Sequence, residues 1–182
     1  MMLGLERRRL IRALVDGDEA ERWAAAQALS GRSDRRTVRS VERILEDGGE
    51  DAPRAAAAYV LGFSGEIDAA ALLARTLADR EESVVVRAYA AEALGHLLQY
   101  ETVLAEVRAA IRGGLRDPAA EVRFWSAFAA GVLGLQETHP HLVHLADTDG
   151  NEIAGWWTVA EEAEWALRVL NGEEDPPLPQ RA

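Results

Sequence analysis

Small and aliphatic residues recur three and four positions apart along most of the chain, which is the spacing of one face of an α-helix. Gly, Pro and Asp residues interrupt this spacing at short intervals, as they do where helices end. The pattern therefore predicts helices joined in five pairs, without strands. The predicted ranges are 3–15 with 19–30, 35–46 with 52–63, 66–78 with 83–98, 102–115 with 119–134, and 140–146 with 156–170.

The second helices of these pairs share one sequence pattern, whose clearest copy is VVRAYAAEALGHLL at 85–98. Arg22, Arg54 and Arg123 stand where Arg87 stands in that copy, so successive copies lie 32, 33 and 36 residues apart. A repeat of this length is typical of solenoids, in which each helical hairpin buries its apolar face against the next one.

An Asp in the hairpin turn, an arginine six to eight residues later and an AAxALG-like run together resemble the HEAT repeat, especially the short repeats of bilin-lyase-like HEAT proteins. The resemblance covers about residues 3–171. It implies an all-α, right-handed α-solenoid of about five HEAT-like hairpins. We expect a single domain over residues 1–172, followed by a Pro-rich disordered tail at 173–182.

In HEAT repeats, the turn Asp and the arginine form a hydrogen-bonded ladder between neighbouring repeats. The resemblance assigns this role to the pairs Asp16/Arg22, Asp47/Arg54, Asp79/Arg87 and Asp117/Arg123. The fifth repeat departs from the pattern, since Ala160 occupies the arginine position and the turn around 147–155 is longer. We therefore interpret it as a modified terminal repeat.

The helical period also predicts which side chains face a groove. With about 100° per residue, the third, sixth, seventh and tenth positions after the arginine share the core face, and the first and fifth lie opposite it. Second helices line the concave surface of HEAT-like solenoids, so these opposite positions are candidates for partner binding. They include Trp23, Tyr59, Glu92, Phe124, Phe128, Glu161 and Trp165. The alternative is that the rings only fill the space between alanine-rich helices.

The charge distribution narrows the possible partners. The chain has 31 acidic residues against 20 arginines and no lysine, for a net charge of -11. Residues 1–45 hold ten arginines and seven acids, so the excess of acids lies in the remainder of the chain. Most of this surface would repel a phosphate backbone, which argues against a nucleic-acid partner.

The composition also bears on the compartment. There is no cysteine, so neither a disulfide framework nor a thiolate site is available, and we expect a cytoplasmic protein. The longest uncharged stretch, 124–136, is too short to span a bilayer, which argues against membrane insertion.

Catalytic motifs are not evident. His139, His141 and His144, with Asp147 and Asp149 nearby, are residue types that can bind a metal, but Pro140 interrupts their helical spacing, so a solvated cluster is the preferred interpretation. The His-Glu dipeptides of HEAT-like metal-dependent hydroxylases, a phosphate loop and a nucleophile elbow do not occur. HEAT-like DNA glycosylases need a basic concave face, whereas the predicted groove positions of this chain carry aromatic rings and carboxylates. We therefore predict no catalytic residue, no metal and no cofactor.

Two functional hypotheses follow. The first is a non-catalytic protein-interaction module that binds a basic or amphipathic polypeptide through an aromatic and acidic concave groove, as a scaffold, assembly factor or immunity-type protein. The second, implied by the resemblance, is a subunit of a bilin lyase or isomerase that holds a tetrapyrrole among the same rings.

Overall fold

A computed structural model describes residues 4–31, 34–47, 49–174 and 176–179. Over these residues the chain is helical, with two short 3-10 turns and one isolated β-bridge between Glu152 and Thr158. The α-helices are α1 (Gly4–Asp16), α2 (Glu19–Leu29), α3 (Arg35–Glu46), α4 (Asp51–Gly62), α5 (Ala70–Ala78), α6 (Val84–Leu98), α7 (Ala105–Gly114), α8 (Ala120–Val132), α9 (His139–Thr148) and α10 (Val159–Leu170). The predicted all-α solenoid of five helical hairpins is confirmed.

Successive second helices form one continuous layer. Helix α2 packs on α4, α4 on α6, α6 on α8, and α8 on α10, while the first helices contact one another less, α5 and α7 most closely. Each hairpin buries aliphatic side chains between its two helices and its neighbours, and Leu94 of α6 is fully buried as the periodicity predicts. This continuous layer positions the candidate binding surface. No helix within the described ranges is long and apolar enough to cross a membrane.

A repeated glycine explains why the second helices lie so close together. It is the eighth residue after the arginine of the repeat, and it faces an alanine of the next second helix. A Cβ atom added at Gly62 would lie 2.7 Å from the Cα atom of Ala93, and one added at Gly131 would lie 2.9 Å from the Cα atom of Ala166. The small residues of the ALG pattern thus allow one helix backbone to approach the next.

The arginines at the start of the second helices form a ladder, but the predicted side-chain pairs are wrong. Each arginine bonds backbone carbonyl groups of its own hairpin: Arg22 Nε donates to the carbonyl oxygen of Leu14 (3.0 Å), and Arg54 Nε donates to that of Leu45 (3.0 Å). For Asp117 and Arg123, the predicted contact is likewise made by the Asp117 backbone carbonyl, at 2.8 Å from Arg123 Nη1.

Three of the arginines also bind a carboxylate, which belongs to the following repeat. Arg54 Nη1 donates to Glu82 (2.9 Å), Arg87 Nη2 to Asp117 (3.0 Å), and Arg123 Nε to Asp149 (2.6 Å). The reason is geometric, because the arginine lies between its own turn and the next one. The fifth hairpin has Ala160 at the arginine position, so the ladder seen in the described residues ends with the pair of Arg123 and Asp149.

Candidate binding surface on the second helices

The second helices carry a continuous series of aromatic rings. Neighbouring ring centroids lie between 4.5 Å (Phe63 and His96) and 6.1 Å (Phe128 and Trp165) apart. Each ring is partly exposed, and each residue lies in a second helix or directly after one. We call this set the aromatic row. Its members are Trp23, Tyr59, Phe63, Tyr89, His96, Trp125, Phe128 and Trp165.

The row contains four of the predicted site residues, namely Trp23, Tyr59, Phe128 and Trp165, and the structure therefore brings them into one connected surface. Small residues make this possible. Trp23 of α2 reaches past α4 to contact Tyr89 of α6, at 5.4 Å between centroids, because α4 carries buried alanines at 55–58.

Phe124 does not belong to this surface, and the prediction that it is partly exposed is wrong. Only 1% of Phe124 is exposed. Its ring packs against Trp125, Trp156 and Trp157, at centroid distances of 5.2, 6.1 and 6.0 Å. The segment that leads into α10 folds over it, and Trp157 of that segment is itself 95% buried. Phe124 is therefore a core residue.

The error at Phe124 has a parallel in two earlier second helices. The first residue after the arginine is also buried in α4 and α6, as Ala55 and Ala88, although Trp23 at the same position of α2 is partly exposed. In α6 and α8 the second residue is partly exposed instead, as Tyr89 and Trp125. One residue corresponds to about 100° of rotation, so the exposed side of α6 and α8 is turned by that amount from the predicted one at this end of the helix.

Sequence analysis also missed Phe63 and His96. Both are the ninth residue after the arginine of their repeat, four residues beyond Tyr59 and Glu92 respectively. Residues four apart lie on the same helix face. Extending the helical period by one turn would therefore have found them, since each stands at or near the end of its helix on the side of the row.

Glu161 takes part in a capping interaction. Its Oε2 atom accepts hydrogen bonds from the backbone N–H of Thr158 (2.9 Å) and from the Thr158 hydroxyl (2.7 Å), and these bonds lower the pKa of Glu161. This arrangement is the capping box of α10. The carboxylate is thus occupied at the start of α10, which gives Glu161 a local structural role beside the predicted partner contact.

Trp165 lies at the end of the aromatic row nearest the C terminus. Its ring stacks on Phe128 at an interplanar angle of 17°, and its indole N–H donates to the carbonyl oxygen of Pro176 at 3.1 Å. Pro176 is buried, so the beginning of the Pro-rich tail packs against α10. Residues 180–182 lie outside the described part of the chain, and the disorder of the whole tail stays a prediction.

Glu92 lies on α6 beside the middle of the aromatic row. Its side chain is only 14% exposed, and its Oε1 atom lies 3.9 Å from His96 Nε2. Burial raises the pKa of Glu92 to about 7 and lowers the pKa of His96. Burial and the charge of Glu92 together raise the pKa of Tyr89 to about 12. The row therefore surrounds a poorly solvated carboxyl group.

The histidine cluster does not form a metal site with the nearby aspartates. Asp149 is bound to Arg123, and His141 contacts Arg116. Within the described ranges, no group of three or more His, Cys, Asp or Glu side chains is arranged to hold a metal ion.

The comparison with known families decides the classification. The sequence model of HEAT repeats matches residues 8–85 and 77–168. The chain belongs to the HEAT-repeat family. No curated protein shows a significant match to this HEAT-repeat chain. Among solved structures, it is similar to the complex of CpcE and CpcF of phycocyanin lyase from Nostoc sp. PCC7120, with a TM-score of 0.70 and 18% identity, over 88% of this chain and 97% of that chain. At this identity the similarity establishes the fold.

Proposed function

We propose that this HEAT-repeat protein is a non-catalytic interaction module that binds a basic or amphipathic polypeptide along the aromatic row. The observation that carries the proposal is the continuity of partly exposed rings from α2 to α10. Trp and Tyr are enriched at the centres of protein interfaces, because they bury a large area while losing little conformational entropy. A row of such rings suits an extended or helical polypeptide.

The charge of the chain supports a basic partner. From residue 46 onward it carries 24 acidic residues and ten arginines, and Glu92 adds a poorly solvated carboxyl group within the row itself. A negative field of this kind accelerates the encounter with a positively charged polypeptide and disfavours acidic ones. Such a partner would make this protein a scaffold, an assembly factor or an immunity-type protein.

Affinity capture from the native lysate, followed by binding measurements on the purified partner, tests the proposal. Tyr59→Ala and Phe128→Ala should each weaken binding by at least about 2 kcal/mol, the usual size for an interface anchor. Tyr100→Ala is the matched control, because Tyr100 is 91% exposed and lies outside the row. Unchanged affinity in folded Tyr59→Ala and Phe128→Ala proteins would contradict the proposal.

A second candidate function is a subunit of a bilin lyase or isomerase. What supports it is the similarity in fold to a chain of the phycocyanin lyase complex, over 88% of this chain, together with a row of rings on which a flat tetrapyrrole could stack. Incubation with phycocyanobilin should then produce a red-shifted visible absorption band that Phe128→Ala weakens and Tyr100→Ala leaves unchanged. A spectrum equal to that of the free bilin would exclude this function.

A further inference from the structure

Three rings of the aromatic row form a cluster at its N-terminal end. The ring of Trp23 contacts Tyr59 edge-on, with centroids 5.5 Å apart and an interplanar angle of 87°, and it contacts Tyr89 at 5.4 Å and 38°. All three are partly exposed. Glu92 follows Tyr89 by one helical turn on α6, close enough for its charge to raise the pKa of Tyr89. We call these four residues the aromatic box.

The carboxyl group of the box has no cationic partner among the described residues. It is 86% buried, and burial lowers the pKa of the nearby His96, which disfavours the charged form of that imidazole. No hydrogen bond to Glu92 is present in the described part of the chain. By contrast, arginines of the repeats pair with carboxylates at the turns, as Arg54 does with Glu82. A buried carboxylate without a partner lowers the stability of the folded protein, and such groups are concentrated at functional sites.

We propose that Trp23, Tyr59, Tyr89 and Glu92 bind one cationic side chain of the partner polypeptide, preferably an arginine. The proposal rests on the proposed function, which supplies the polypeptide. The faces of Trp and Tyr attract cations through their quadrupole, most strongly where water is excluded. A guanidinium group can stack on such a face and donate to a carboxylate at the same time, whereas an ammonium group is more strongly hydrated.

The test compares two probes that differ in charge. N-acetyl-arginine amide and its neutral analogue N-acetyl-citrulline amide are titrated at pH 8 into the full chain, and the indole N–H signals are followed by NMR after assignment with single Trp→Phe variants. We expect the arginine probe to shift the Trp23 signal saturably, with an affinity about tenfold higher than that of the citrulline probe.

Two charge-removing variants locate the site. Glu92→Gln should weaken binding of the arginine probe about tenfold. Glu164→Gln should leave it unchanged, because Glu164 is an exposed glutamate of α10 outside the box. Equal responses of wild type to the two probes, unchanged affinity in Glu92→Gln, or a response confined to another tryptophan would each overturn the proposal. The first result needs only wild-type protein, so it does not depend on the folding of a variant.

The two proposals can fail separately. If Tyr59→Ala and Phe128→Ala weaken the polypeptide partner while the arginine probe does not bind, the box is wrong and the interaction surface stands. If the arginine probe binds but the partner is insensitive to substitutions in the row, the proposed function is wrong.

Discussion

Two buried carboxyl groups show how the middle and the end of this solenoid differ. Asp117, in the turn between α7 and α8, is 2% exposed and accepts hydrogen bonds from Arg87 (3.0 Å), Arg80 and the backbone N–H of Ala119 (2.9 Å). Glu162 of α10 is equally buried, but it accepts from the indole N–H of Trp157 (2.7 Å). Burial raises the pKa of Glu162 to about 7.

The difference follows from where each carboxyl group stands. Asp117 lies in a hairpin turn, which the arginine of the preceding repeat reaches, and the last junction keeps such a pair between Arg123 and Asp149. Glu162 instead lies on the helix beside the rings that close the last junction, where Phe124 of α8 packs against Trp156 and Trp157. Among the described residues no arginine is bonded to Glu162, and a carboxyl group there is most stable when neutral.

The largest effect is expected from Phe124→Ala. The substitution should lower the free energy of unfolding by about 3 to 5 kcal/mol, because it leaves a cavity between α8 and the segment that closes the last repeat. Denaturant unfolding measures this loss. Phe128→Ala is the control, since Phe128 is partly exposed and its removal should cost less. A loss below about 1 kcal/mol at Phe124 would mean that the rings do not hold the last junction.

Asp117→Asn should lower stability by about 3 kcal/mol, because it leaves the buried guanidinium group of Arg87 without a counter-charge. Asp79→Asn removes the same charge from an exposed turn residue, and it should change the free energy of unfolding by less than about 0.5 kcal/mol. Chemical denaturation of the two variants at pH 7 makes the comparison. Similar losses in both would show that the middle junctions do not depend on the buried ion pair.

Gly62→Ala should cost about 1 to 3 kcal/mol, because the new methyl group would collide with the backbone of Ala93. Gly131→Ala should cost as much, since the last junction has the same close approach to Ala166. Gly113→Ala is the control: a Cβ atom there meets nothing within 4 Å, and alanine is the better helix former. If thermal melts show Gly62→Ala to be as stable as Gly113→Ala, the helices have room to move apart.

The smallest effect is expected at Glu162. The pKa of Glu162 is raised on folding, so the folded state binds a proton more readily than the unfolded state does. The stability gained from this proton is fully present below pH 4.5 and is lost as the pH rises through about 7. Glu162→Gln should therefore be more stable than wild type by about 1 to 2 kcal/mol at pH 8 and similar to it at pH 5. Glu92 has a raised pKa as well, so the stability of the Glu162→Gln variant should still fall between pH 5 and pH 8, although less than that of the wild type.

Denaturant unfolding from pH 5 to pH 8, with Asp117→Asn in parallel, checks this result. Asp117→Asn should be destabilised at both pH values, because its arginine partners stay charged. A loss of stability in Glu162→Gln at pH 8 would show that the charged carboxylate is needed at the last junction, as it is at the middle ones.

The five helical hairpins could be predicted because each signal is local. Helical spacing, the glycine and proline breakers and the recurring arginine all lie within a few residues of the structure that they specify. The helix ends agree closely, except that a 3-10 turn precedes α5 and that α10 begins at Val159, after the two tryptophans 156 and 157. The aromatic surface was predicted in kind, and Trp23, Tyr59, Phe128 and Trp165 belong to it.

What the sequence by itself determined is therefore the repeat, its helices and the concentration of rings in the second helices. Only the tertiary structure decided that Phe124 is buried while Tyr89 is partly exposed. It also decided that the repeat arginines bind carboxylates of the following repeat, as Arg87 does with Asp117, and that Glu92 lies among rings with no arginine bonded to it in the described part of the chain. The helical period relates residues within one helix, whereas burial and ion pairing depend on where neighbouring helices and the segment before α10 are placed, and those contacts join residues about thirty positions apart.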